Sequence, residues 1–238
     1  MVLDHNGYPE VTLFMLMSLD GKISTGHGDR YDVDKDLLVI QGAREGLHQY
    51  YKKEQETDLW SLVTGKTLAK IGVNDGTLKM ERIPNFHRVV LGVRELTATA
   101  VKSIVDSSEY AHFIVRDTID VIKVGNILQG YPDTNYTVKI VRHNYTDPKT
   151  YLRYLKSIGC DKLTLQAGAT VNGAFAASHC IDTVHVIVAP VIIGGSTTPT
   201  LIDGMPRVDG LEHINVLKLI SATPLQNSYL ELVYDVIR

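Results

Sequence analysis

The feature that most limits what this chain can become is a rhythm that changes near its end. Short apolar runs at Val11 to Met17, Leu59 to Thr64, His87 to Val93, Ala111 to Arg116, Tyr136 to Arg142 and Lys162 to Gln166 read as strands. Helical patterns fall between them: Lys35 to Tyr51 with Asp34 as its cap, a short turn at Lys66 to Ile71, Ala98 to Val105, Pro148 to Ile158 behind Asp147, and a helix opened by Gly168 and reaching about His179. Asp and Pro at such starts suit the unpaired N–H groups of a first turn. Gly72 to Pro84 reads as a loop, and Asp117 to Asp133 has no decided pattern. From Thr183 onward the helices stop. Thr183 to Ala189, Leu211 to Ser221 and Ser228 to Val236 all read as strands. Strand–helix alternation implies a largely parallel sheet covered by helices, and strands without helices between them must pair antiparallel. The expected class is therefore α/β, three layers αβα, with a mostly parallel sheet ending in antiparallel C-terminal strands.

No repeat, low-complexity tract or Gly/Ser/Pro-rich linker divides the 238 residues, so one domain over 1–238 is expected. Apolar residues at 44% and charged residues at 21% suit a folded globular chain. A net charge of −3 lacks the basic surplus of a nucleic-acid binder. The longest apolar run, Val184 to Ile193, contains His185 and Pro190 and is too short to span a bilayer. Residues 1–9 are polar and do not resemble a secretion signal, so a cytoplasmic protein without a membrane partner is expected. Cys160 and Cys180 form no CxxC pair, and the nine histidines include no HExxH spacing. No metal is assigned, and His185 reads as a core residue. The absence of Gly-x-Ser-x-Gly removes the usual nucleophile of an α/β-hydrolase.

Chemistry is suggested by turns at strand ends, where open α/β sheets bind ligands. In Leu163-Thr-Leu-Gln-Ala-Gly-Ala-Thr-Val-Asn-Gly173 an apolar strand passes through a small-residue turn straight into a helix. Free N–H groups and the positive end of the helix dipole meet there, which suits a phosphate. Thr170 and Asn172 add hydrogen-bonding side chains. Thr64-Gly-Lys-Thr67 repeats the arrangement, although Trp60 stands where a Walker loop needs glycine. Met17-Ser-Leu-Asp-Gly-Lys-Ile23 closes the first strand, and Ala189-Pro-Val-Ile-Ile-Gly-Gly195 closes a later one. Each segment alone reads as well or better as an ordinary turn.

Taken together and in order, Ser18-Leu-Asp-Gly-Lys22, Gly65-x-Thr67, Gln166-Ala-Gly-Ala-Thr-Val-Asn-Gly173, Ile181-Asp182 and Ala189-Pro-Val-Ile-Ile-Gly-Gly195 resemble a known family. It is the reductase domain of the riboflavin-synthesis bifunctional deaminase/reductase, including its stand-alone pyrimidine reductases. The resemblance runs from about Val11 to the C-terminus and is strongest from Leu163 to Gly204. It implies a dihydrofolate-reductase-like fold, a single reductase domain without an accompanying zinc deaminase domain, and a homodimer. The implied enzyme is an oxidoreductase that uses NADPH, with NADH also admitted, to reduce a ribosylamino-pyrimidine 5′-phosphate to its ribityl form. By position, the resemblance assigns Met17, Gly65, Thr67, Gly168, Ala169, Thr170, Val171, Asn172, Gly173, Ala174, Gly194 and Gly195 to the cofactor. It assigns Ser18, Asp20, Lys22 and Gln166 to the phosphorylated substrate, Asp20 only in shaping the site, with Asn74 or Asp75 standing in for the Asp the family often has at position 71. Arg94 and Arg116 are the candidates for a 2′-phosphate contact. No general acid is identified.

Three positions depart from the family pattern. Gln166 stands where a carboxylate is usual, Ile71 where an Asp is frequent, and Gly92-Val93 where an Asp-Ser pair occurs. A neutral Gln still hydrogen-bonds but is a poor proton shuttle. The departures keep two alternatives open: a reductase of the same fold acting on a pteridine or folate-like compound, and a nucleotide-binding module without catalysis.

Overall fold

The computed structural model describes residues 7–28, 30–141, 147–204, 211 and 214–237. Arg142, Glu212 and His213, each placed in a strand by the sequence reading, lie outside these residues. Contacts gather into two compact units, Met1–Pro9 with Asp58–Ala167 and Glu10–Thr57 with Gly168–Arg238.

The first unit holds strands β2 (Trp60–Thr64), β3 (His87–Leu91), β4 (Tyr110–Val115), β5 (Tyr136–Ile140) and β6 (Lys162–Leu165). They lie in the order β5-β4-β3-β2-β6, every pair parallel. Helices α3 (Gly65–Lys70), α4 (Ala98–Asp106), α5 (Thr118–Ile127) and α6 (Pro148–Ser157) connect them. Leu68, Val101, Ile104, Val105 and Val124 of the helices close over Val63, Val90, Phe113 and Val115 of the strands. Residues of the opposite alternation, Leu62, Val89, Leu91 and Ile114, are buried too. Strands covered on both faces explain runs that are apolar throughout rather than alternating. Thr64, Thr97 and Asp117 cap α3, α4 and α5 through their side chains. The stretch without a decided pattern thus becomes a capped helix.

The second unit holds β1 (Glu10–Ser18), β7 (Thr183–Ala189), β8 (Val216–Pro224) and β9 (Leu230–Ile237), in the order β1-β7-β9-β8. β1 and β7 are parallel, while β7–β9 and β8–β9 are antiparallel. The strand pairing is therefore mostly parallel with antiparallel C-terminal strands, as expected. Helices α1 (Val33–Asp36), α2 (Arg44–Glu54) and α7 (Ala169–Ala177) complete the unit. Phe14, Leu16, Ile187 and Ala189 pack with Val33, Leu37, Leu47, Tyr50 and Tyr229, and the Phe14 and Tyr50 rings stack at 5.3 Å.

The long helix expected from Lys35 to Tyr51 is corrected to α1, a 3-10 turn at Leu37–Val39, and α2. Asp32, not Asp34, supplies the cap, accepting from the Asp34 N–H at 3.0 Å. Asp36 folds back to accept from the Asp32 N–H at 2.9 Å, and the left-handed Gly42 (φ +91°) prevents continuation. His185, expected in the core, is half-buried on β7. It packs edge-on against Phe14 and hydrogen-bonds Glu231 at 2.8 Å, and Lys53 reaches the same Glu231 oxygen at 3.2 Å.

Candidate functional site

In the second unit, the turn that ends β1 meets the segment that follows β7. Ser18 is fully buried, and its hydroxyl accepts from the Lys22 N–H at 2.8 Å and donates to Asp20 at 2.6 Å. The Asp20 carboxylate also accepts from the Ile193 N–H at 3.1 Å and the Gly194 N–H at 2.7 Å. The Ser18 hydroxyl first, then these backbone donors, hold the carboxyl down to about 2, so it is an anion at any physiological pH. Lys22 Nζ donates to the Gly195 carbonyl at 2.9 Å and the Thr198 carbonyl at 3.0 Å. Gly194 and Gly195 take left-handed φ of +75° and +84°. Met17 sits half-buried in β1 beside Val188 of β7.

The segment then runs on to α7. Ile23 N–H donates to the Pro199 carbonyl at 3.1 Å, and Leu201 N–H donates to the Gly21 carbonyl at 2.9 Å. Asn172, fully buried on α7, donates its amide to the Leu201 carbonyl at 3.0 Å. Asp203 N–H donates to the Ala169 carbonyl at 3.1 Å. The Asp203 carbonyl lies against Gly173, where an added Cβ would stand 1.6 Å from the oxygen. Only glycine admits that approach.

The first turn of α7 has the form the sequence implied. Gly168 is the N-cap, in extended conformation and without a side-chain cap bond. Val171 and Asn172 return their N–H groups to the Gly168 carbonyl at 2.9 and 3.1 Å. The N–H groups of Ala169 and Thr170 have no acceptor within the helix. Thr170 is exposed, while Val171 and Ala174 are half-buried.

In the first unit, Thr64 Oγ1 accepts from the Thr67 N–H at 3.0 Å and lies 2.8 Å from the Thr67 hydroxyl. Gly65 is required at the start of α3, because a Cβ there would stand 2.3 Å from the Gly92 carbonyl oxygen. Gly92, one of the departures, thus packs against the β2–α3 turn. Gln166 Oε1 accepts from the buried Ser61 hydroxyl at 2.9 Å. Asn74 is engaged by its surroundings: its amide donates to the Glu95 carbonyl at 2.7 Å and accepts from the Thr97 N–H at 2.9 Å, pinning the start of α4. Arg94 is bound to Asp120 at 3.2 Å and to Asp117.

The second unit therefore brings Ser18, Asp20, Lys22, Gly194 and Gly195 together, and ties them to Ala169, Asn172 and Gly173. The first unit sets Gln166 with Ser61, and Thr67 with Gly65 behind Thr64. Sequence reasoning missed Ser61, Thr198, Leu201 and Asp203. A Thr200 hydroxyl and N–H three residues before Asp203 are the local signal for a turn there. Among the described residues no group of three or more His, Cys, Asp or Glu is arranged for a metal ion, and no helix is long and apolar enough to cross a membrane.

Comparison with known proteins places this architecture in a family. Residues 9–229 match the family model described as the RibD C-terminal domain. The chain belongs to that family. RibD, the riboflavin biosynthesis protein of Bacillus amyloliquefaciens, is 27% identical over 230 residues, covering 92% of this chain and 56% of that protein. The chain thus spans little more than half the length of that relative. The 2,5-diamino-6-ribosylamino-4(3H)-pyrimidinone 5′-phosphate reductase of Methanothermobacter thermautotrophicus is 26% identical over 204 residues, covering 82% of this chain and 84% of that one. The RibD fold itself is shared with solved structures. Acinetobacter baumannii RibD superposes with a TM-score of 0.64 at 19% identity, over 98% of this chain and 59% of that one. A pyrimidine reductase-like protein from Corynebacterium diphtheriae superposes at 0.65 and 14% identity, over 97% and 92%.

Proposed function

We propose that this chain is an NADPH-dependent oxidoreductase that reduces the ribose carbon of a ribosylamino-pyrimidine 5′-phosphate to the ribityl form. The observation that carries the reading is the uncapped first turn of α7 within a RibD-type reductase domain. Gly168 leaves the Ala169 and Thr170 N–H groups without helical acceptors, and Thr170 is exposed. Those donors fit a dinucleotide phosphate, which needs N–H groups and a helix dipole rather than a lysine. Bound NADPH supplies the hydride. The chain's task is to orient the acceptor and exclude competing geometries.

The reading keeps Met17, Gly65, Thr67, Gly168 to Ala174, Gly194 and Gly195 for the cofactor. Ser18, Asp20, Lys22, Asn74 and Gln166 belong to the substrate side, where Asp20 and Asn74 act by shaping their surroundings, given the partners they hold. Gln166 orients by hydrogen bonding, its oxygen steadied by Ser61. We further take residues 1–238 as one reductase domain of a cytoplasmic homodimer, and sedimentation velocity of the purified chain decides the last point.

A second reading, a nucleotide-binding module without turnover, draws support from the uncharged Gln166 and Ile71. One experiment separates them. NADPH and NADH are titrated by fluorescence, and the ribosylamino-pyrimidine phosphate is then added while reduced cofactor is followed by absorbance. Micromolar NADPH binding with oxidation on substrate addition is expected. Binding without oxidation by this substrate, but with turnover of a pteridine, moves the assignment to another substrate. Binding with no turnover on a panel of acceptors leaves the module. No binding of either nucleotide sinks the reductase reading.

A further inference from the structure

The residues of the β1 turn that the family resemblance places near substrate have another task in this structure. Both carboxylate oxygens of Asp20 are engaged, one by the Ser18 hydroxyl and the Ile193 N–H, the other by the Gly194 N–H. Lys22 binds the same segment from its carbonyl side, at Gly195 and Thr198. An anion thus grips N–H groups and a cation grips carbonyls within one strap, residues 191–203. Past that grip the strap stays attached to the turn through Pro199 with Ile23 and Leu201 with Gly21. Its far end lies on α7: Leu201 receives the buried Asn172 amide, Asp203 donates to Ala169, and the Asp203 carbonyl abuts Gly173. The Asp203 carboxylate accepts the Thr200 hydroxyl at 2.5 Å, which keeps the strap folded on itself.

We propose that Asp20 and Lys22 are positioning residues that act through this strap to hold the first turn of α7, and with it the phosphate-binding N–H groups, in place. The strap stands on its own geometry, while its effect on NADPH rests on the function proposed above. A substrate group that used Asp20 directly would share a carboxylate already holding the Ser18 hydroxyl and two strap N–H groups. The contacts leave the strap as the route by which a change at Asp20 reaches Ala169 and Gly173.

The test uses Asp20→Asn and Lys22→Met in the full chain. The Asn amide accepts through one oxygen only, so a strap N–H loses its partner, and Met keeps the Lys stem without its donors. In each variant, ligand-free hydrogen–deuterium exchange of amides 171–173, the first of the helix to hold acceptors, is expected to quicken by about tenfold, because local opening of the turn becomes easier. The Kd for NADPH rises about fivefold to tenfold as the strap loses two hydrogen bonds at Lys22 or one acceptor oxygen at Asp20. The rise in NADPH Kd equals or exceeds any rise in the KM for the pyrimidine substrate. The inference is overturned if exchange at 171–173 is unchanged in both variants, or if substrate KM rises while NADPH Kd does not, which is the pattern of a direct substrate contact. If one variant fails to fold, the other decides by the same readouts. Should the unsubstituted chain bind no NADPH, the proposed function fails, while the exchange result still judges the strap.

Discussion

Gly173→Ala is the sharpest perturbation the structure offers. The methyl group would start 1.6 Å from the Asp203 carbonyl oxygen, against a floor of 3.0 Å for real Cβ contacts, so one backbone must retreat by about 1.4 Å from the other. The helix itself gains, since alanine is favoured over glycine in a helix interior by ~1 kcal/mol. Opposing that gain, retreat of the strap gives up the Asp203–Ala169 and Asn172–Leu201 hydrogen bonds. These contribute ~1 kcal/mol each, and the buried Asn172 amide is left without its acceptor. Residual overpacking adds ~1–3 kcal/mol. The net cost is about 2–4 kcal/mol, which for a chain of this length lowers Tm by roughly 5–15 °C. Gly125→Ala is the matched control. Gly125 lies within α5, is exposed, and has open space where a Cβ would go, so the same substitution there stabilises by ~0.5–1 kcal/mol. Calorimetric unfolding of both variants at pH 7.5 settles the matter. A Gly173→Ala protein as stable as Gly125→Ala would refute the close approach and the account of the strap built on it.

Two groups give stability opposite pH slopes. Burial first, and the neighbouring His87 second, pull the His112 imidazole down from 6.5 to about 3, so its contribution is full above pH 6.5 and is lost as pH falls toward 3. The loss reaches ~2 kcal/mol by pH 5, and His112→Phe should flatten that limb in urea melts. Asp34 behaves the other way. Burial, with Asp32 and Glu54 adding, lifts its carboxyl to about 7 against the Tyr51 hydroxyl, so stability present below pH 4 is lost as pH rises to 7. Asp34→Asn should therefore stabilise by about 1–3 kcal/mol at pH 8 and change little at pH 4; equal effects at both pH values would contradict the buried, protonated carboxyl. Because the slopes oppose between pH 4 and 6.5, each variant should reveal the other's limb. Burial also pushes the Cys160 thiol up to about 12, so maleimide labelling of the native protein should leave Cys160 unmodified until denaturant is added.

The sequence by itself determined the strands, most helices and the chemistry-bearing turns. Apolar runs such as Leu62-Val63 and Val89-Val90-Leu91 are buried whatever lies beside them, and the start of α6 is set locally by Pro148 in its first turn, although Asp147, expected as its cap, makes no side-chain cap bond. The uncapped turn at Gly168 was legible for the same reason, since strand, glycine and helix are contiguous. The break between α1 and α2 was less so, because Asp32 and Asp36 compete with Asp34 for the same cap and periodicity does not rank them. Only the tertiary structure decided which contacts the candidate site residues make. Asp20 meets Ile193 and Gly194 across 173 and 174 positions, and nothing in either segment names the other. Gly173, assigned to the cofactor by resemblance, shows its packing role only when the Asp203 carbonyl arrives against it. Local patterns record which backbone groups need partners. Which distant segment supplies the partner is settled only when packing brings a polar loop, without periodicity of its own, against a helix that has no room for a side chain.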